Sequence, residues 1–104
     1  GWVAIGDGVE AGQRVMFCRR DRESARRDLV RMLDSVKRRA GGAARAAVYY
    51  TCLARGPNLF EEESEELGIV RQELGDIPLV GFFCNGEISH NRLYGYTGVL
   101  TLFI

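Results

Sequence analysis

Two uninterrupted apolar runs constrain this chain more than any other feature: AAVYYTCL at residues 46–53 and IPLVGFFC at residues 77–84. Both are rich in β-branched and aromatic side chains, and neither alternates with polar ones. Strands of that kind are covered on both faces or nearly so, the habit of parallel strands in an α/β sheet. Each run follows a segment with helical periodicity. Ala25, Leu29, Met32, Leu33 and Val36 predict a helix over about 22–39. Asp21 suits its N-cap, Lys37, Arg38 and Arg39 favour the dipole of its last turn, and Gly41-Gly42 stops it. Leu67, Val70 and Leu74 are the buried stripe of a second helix that ends at Gly75-Asp76. Asn58 with Glu61 resembles a capping box at its start, and the glutamates of 61–66 place negative charge at the favourable end.

The flanking segments extend the sheet. Residues 2–5 and 13–19 read as strands separated by glycine turns at Gly6, Gly8 and Gly12. Residues 94–104 read as a last strand. It can pair antiparallel with the strand at 77–84, because the polar connection at 86–93 is too short for a crossover helix. Right-handed βαβ crossovers put both helices on one side. The predicted fold is therefore α/β, a two-layer sandwich with a mixed sheet of four or five strands and two main helices on one face. The strands at 46–53 and 77–84 are apolar throughout, so the other face needs cover, from a second copy or from segments upstream.

A chain of 104 residues is expected to be a single domain. Its net charge is zero, but residues 1–45 carry eleven Arg or Lys against six acids, and residues 46–104 three against eight. That split describes two helices of opposite sign rather than a basic surface, so no nucleic-acid partner is expected. No apolar run approaches the roughly twenty residues of a membrane span, and no secretory leader pattern is visible. Three cysteines, an odd number among apolar neighbours, suit a reducing cytoplasm better than a disulfide framework. With no C-x-x-C spacing and one histidine, no metal and no cofactor is expected.

If the strands are parallel, their carboxyl ends bring residues 19–21, 52–56 and 84–87 to one rim, where ligands bind in open α/β sheets. Cys52 and Cys84 are either small buried hydrophobes or nucleophiles, while Cys18 reads as core. His90 close to Cys84 leaves a Cys–His dyad open, although no oxyanion donor or orienting group is evident. Glu87, at the end of an apolar strand, must be paired, solvated or protonated. It is either an ion-pair partner of Arg92 or Arg55, or a ligand contact. Arg55 beside Gly56 suits a carboxylate ligand or a helix carbonyl. Asn85-Gly86 predicts a turn at positive φ whose N–H groups can face an anion or only redirect the chain.

Several of these segments together resemble the FIST C-terminal domain family (F-box and intracellular signal transduction). RRDRESARRDLVRML, AVYYTCLARGPNLF, DIPLVGFFCNGEIS and LYGYTGVLTLF occur in that family's order over about residues 9–104. The blocks at 52–56 and 84–88 are the specific ones. Members usually carry Gly where Ala54 stands, and often His-Gly-Phe where Tyr94-Gly95-Tyr96 stands. The resemblance implies an intracellular sensory module of signal-transduction proteins, with small molecules, amino acids in particular, as ligands. It also implies that residues 1–104 are the C-terminal portion of a longer domain, packed against an upstream FIST domain or a second copy. It brings no catalytic residues. The positions expected to line a site are Cys52, Arg55, Gly56, Cys84, Asn85, Gly86 and Glu87. Two other readings stay open: an enzyme using Cys84 or Cys52, and a protein-interaction or dimerisation module.

Overall fold

A computed structural model describes residues 1–60, 62 and 64–104 of the chain. The first helix, α1, spans Arg22–Ala40, close to the predicted range. Asp21 caps it by accepting a hydrogen bond from the Ser24 amide at 2.8 Å, and that bond holds the Asp21 carboxyl below its ordinary pKa. Gly41 ends it in the left-handed region, at φ 69°. Strand β1 (Ala46–Cys52) follows, then a single turn α2 (Gly56–Leu59), helix α3 (Glu65–Leu74) and strand β2 (Leu79–Cys84). A short ribbon of β3 (Glu87–Ser89) and β4 (Arg92–Tyr94) precedes the last strand, β5 (Gly98–Phe103).

The class is mixed α/β with a mixed sheet, and among the described residues that sheet has three strands, in the order β2-β1-β5. β1 and β2 are parallel, with Tyr49 opposite Gly81 and Cys52 opposite Cys84. β5 runs antiparallel to β1, not to β2, the pairing that the short connection allows. The β3–β4 ribbon occupies that connection and carries the chain across to the far side of β1. Residues 2–5 and 13–19 form no strand, and their apolar side chains are exposed; Phe17 is 85% accessible. A β-prone run becomes a strand only where an edge receives it, and here none does. Cys18, expected in the core, is exposed for the same reason. The predicted second helix is divided into α2 and α3 around Phe60, and the expected cap of Asn58 by Glu61 lies partly outside the described residues. Asn58 itself donates to the Leu53 carbonyl at 3.1 Å.

The core lies between the two long helices and one face of the sheet. Leu29 and Leu33 of α1, Ile69 and Val70 of α3, Tyr49 of β1 and Phe60 form one cluster, with Leu33, Phe60 and Val70 fully buried. Burying each such side chain contributes about 1.5–3 kcal/mol. The opposite charges of the helices meet: Arg22 and Arg26 of α1 hold Glu65 of α3 at 2.9 and 3.0 Å. Lys37 of α1 also reaches α3, donating to the Glu73 carbonyl at 2.6 Å. On the opposite face Val80, Phe82, Val99 and Phe103 stay exposed.

Candidate functional site

The parallel pairing of β1 and β2 ends both strands at one rim, where Cys52 and Cys84 stand side by side. The chain then turns at Asn85-Gly86, with Gly86 at φ 142°, where a Cβ would come 2.9 Å from the Tyr94 carbonyl oxygen. The turn delivers Glu87 to the start of β3, where it is 8% accessible. Its two oxygens are held by neutral groups. The Cys84 thiol lies 3.4 Å from Oε1 as a donor, and the Thr97 hydroxyl donates to Oε2. The same thiol is 3.5 Å from the Thr51 carbonyl oxygen, so its one proton is shared between two acceptors. Among the described residues no Lys, Arg or His forms an ion pair with Glu87.

Cys84 is engaged in hydrogen bonds on both sides. Burial pushes its thiol up, the Gly86 amide opposes that, and Glu87 adds to it, so the net direction is upward. A thiol that holds its proton is a poor nucleophile at neutral pH. His90 does not reach it: its Nδ1 lies 3.2 Å from Ser89 Oγ, on a residue with φ 55°.

Arg55 is engaged elsewhere. Its Nε donates to Glu66 Oε1 at 2.7 Å, with side-chain accessibilities of 16% and 3%. Tyr49 Oη donates to the same oxygen at 2.8 Å, and Thr51 Oγ1 to Glu66 Oε2 at 2.9 Å. Burial pulls the Arg55 guanidinium down, but the Glu66 charge and hydrogen bond outweigh it, and its pKa stands above the ordinary value. Burial first, and then the adjacent Glu66 charge, hold the Tyr49 hydroxyl far above its usual range. Gly56 is buried under the Phe83 ring, which would lie 2.6 Å from a Cβ there.

Of the seven expected site residues, Cys52, Cys84, Asn85, Gly86 and Glu87 thus share the rim. Cys84, Gly86 and Glu87 line a hollow of about 360 Å³ together with Tyr50, Phe82 and Val99. The Tyr50 and Phe82 rings pack with centroids 4.8 Å apart. Arg55 lines a separate hollow that shares Thr97 and Gly98 with one on the Glu87 side. Arg20 also arrives at this end of the sheet, donating to the Ala54 carbonyl and lying 4.8 Å over the Tyr96 ring.

Residues 1–90 match the family model of the FIST C domain. The chain belongs to the FIST C domain family. That family is of the sensory type found in signal transduction. The uncharacterized protein Rv0628c of Mycobacterium tuberculosis is 34% identical over 108 residues, covering 100% of this chain and 28% of the relative. The uncharacterized protein Mb0898c of Mycobacterium bovis is 33% identical over the same coverage. The chain spans 28% of the length of the curated relatives it matches. No solved structure matches the chain significantly.

Within this FIST C domain, sequence reasoning missed Thr97 and Glu66. Thr97 gave no signal, since it lies in the loop between β4 and β5, ten residues after Glu87, and nothing in its neighbours marks it as an inward-facing donor. Glu66 sat within a run of glutamates that reads as a solvated helix start. Its position three residues before Ile69 and four before Val70 puts it on the same helix face as both, the hint that this glutamate faces inward.

Proposed function

We propose that this FIST C domain is the small-ligand-sensing part of a cytoplasmic signal-transduction protein. The ligand carries an ammonium group, an amino acid being the leading case. One observation carries this reading: Glu87 is a buried carboxylate satisfied by a thiol and a hydroxyl, with no cationic partner among the described residues. A buried charge of that kind is stabilised by a counter-charge, and an ammonium ligand supplies one. The Tyr50 and Phe82 rings beside it suit the same group, since aromatic faces attract cations. The ligand's carboxylate would meet the amides of the Asn85-Gly86 turn rather than Arg55, whose charge is already matched by Glu66. Thermal-shift screening of the protein against the amino acids and their decarboxylated amines tests this reading. A saturable stabilisation by one chemical subset supports it. Indifference to every amine, at concentrations up to tens of millimolar, refutes it.

A second reading is an interaction module that pairs two copies through the exposed row Val80, Phe82, Val99 and Phe103. It predicts self-association in sedimentation velocity that Phe82→Asp abolishes. A wild-type protein that stays monomeric at high concentration rules it out.

A further inference from the structure

A second cavity opens on the helix side of the sheet, away from Glu87. It holds about 140 Å³ between α3 and the β1–β2 pair. Leu67 and Phe83 give it apolar walls, and Tyr49, Thr51 and Glu66 give it a polar floor. Gly81 lines it as well, at a position where a Cβ would overlap the Tyr49 carbonyl oxygen of the neighbouring strand.

The floor has a definite hydrogen-bonding sense. Tyr49 and Thr51 each own one hydroxyl proton, and both protons are given to Glu66. Glu66 Oε1 accepts twice, from Tyr49 and Arg55, whereas Oε2 accepts once, from Thr51. What remains is acceptor capacity alone, on Oε2 and on the Thr51 hydroxyl oxygen, since the Tyr49 oxygen already faces the Arg55 guanidinium. A guest must therefore donate. It should also be neutral, because the Glu66 carboxylate is already balanced by the Arg55 guanidinium at 2.7 Å, and an added cation would leave a buried surplus of charge. The size fits a single ring, since a dry cavity of about 150 Å³ accepts benzene.

We propose that this cavity is a binding site for a small neutral molecule of single-ring size bearing one hydrogen-bond donor, a phenol being the simplest case. It is separate from the Glu87 rim and does not rest on the ligand proposed there.

The test is a titration of the protein, followed by amide and methyl NMR, with three probes of one size: phenol, anisole and benzylamine. Phenol should saturate, with shifts centred on Leu67, Gly81 and Phe83. Anisole, which cannot donate, should bind about tenfold more weakly or worse, and benzylamine should not displace phenol. Leu67→Trp fills the cavity from a helix position that is 41% accessible. It should abolish the phenol response while circular dichroism stays unchanged; Leu67→Phe serves if the tryptophan variant does not fold. Glu87→Gln should leave phenol binding intact. Equal affinity for anisole and phenol, shifts centred elsewhere, or no saturation at the solubility limit of phenol would each overturn the proposal.

Discussion

Replacing Glu66 with alanine should be among the most damaging single changes in this protein. Glu66 is 3% accessible and accepts three hydrogen bonds of 2.7, 2.8 and 2.9 Å, one of them from a guanidinium that is itself only 16% accessible. Removing one member of a buried ion pair costs about 3–5 kcal/mol, because the other charge is left unpaired. The hydroxyls of Tyr49 and Thr51 also lose their acceptor, at about 1–3 kcal/mol each when a buried group stays unsatisfied. These costs do not add fully, since Arg55 can turn toward solvent and relieve part of the penalty. A net loss of about 4 kcal/mol is expected, against a total stability of about 5–15 kcal/mol for a domain. Urea denaturation followed by far-ultraviolet circular dichroism is the assay; Trp2 is 88% accessible in an irregular segment and reports poorly on the core. Glu66→Gln should lose less, since it keeps one acceptor and the shape. The combined change Tyr49→Phe, Thr51→Val, Arg55→Leu and Glu66→Leu should recover much of the loss, because it leaves no polar group unsatisfied. A loss below about 1 kcal/mol for Glu66→Ala, the value of an exposed pair, would refute the reasoning.

Three further outcomes follow from the structure. The Tyr49 hydroxyl titrates far higher in the folded protein than the value of about 10 it has when unfolded. Stability should therefore be level below about pH 9 and fall above pH 10 by up to ~1.4 kcal/mol per unit. Tyr49→Phe should remove that slope, measured in a Cys84→Ala background because the raised Cys84 thiol acts with the same sign. Alkylation at pH 7.5 with mass mapping should label exposed Cys18 first and Cys84 and Cys52 much later; preferential labelling of Cys84 would favour a cysteine-dependent enzyme. Gly86→Ala should destabilise by about 1–3 kcal/mol, because it forces a side chain into φ 142° and toward the Tyr94 carbonyl. Thermal unfolding checks it, and an unchanged midpoint would mean the turn relaxes freely.

Local signals proved most legible where neighbours agreed with them. α1 combines a capping aspartate, an apolar stripe, a basic last turn and a left-handed glycine, and its observed bounds fall beside the predicted ones. β1 and β2 announce themselves by continuous apolar sequence, and their parallel pairing is what a helix-containing connection demands. Pairing choices were not legible. β5 lies beside β1 because the β3–β4 ribbon reroutes the chain, and no residue type encodes that route. Residues 2–5 and 13–19 carry strand-like composition without a strand, because they pair with neither edge strand of the sheet, β2 or β5, and propensity without pairing makes no strand. At the candidate site the rim itself was legible from strand ends and turn glycines. The partner of Arg55 was not, because helix charge runs are usually solvated and Glu66 turns inward only through tertiary packing around Tyr49.

The central claim is that Glu87 receives a ligand's ammonium group. Isothermal titration of wild type and Glu87→Gln with the amine that gives the largest thermal shift tests it most directly, with urea denaturation run beside it. The account predicts a loss of about 1.5–3 kcal/mol in binding, the worth of a charge-assisted hydrogen bond, with a much smaller change in stability because Gln can still accept from Cys84 or Thr97. Unchanged affinity together with a large loss of stability would assign Glu87 to the scaffold and contradict the claim.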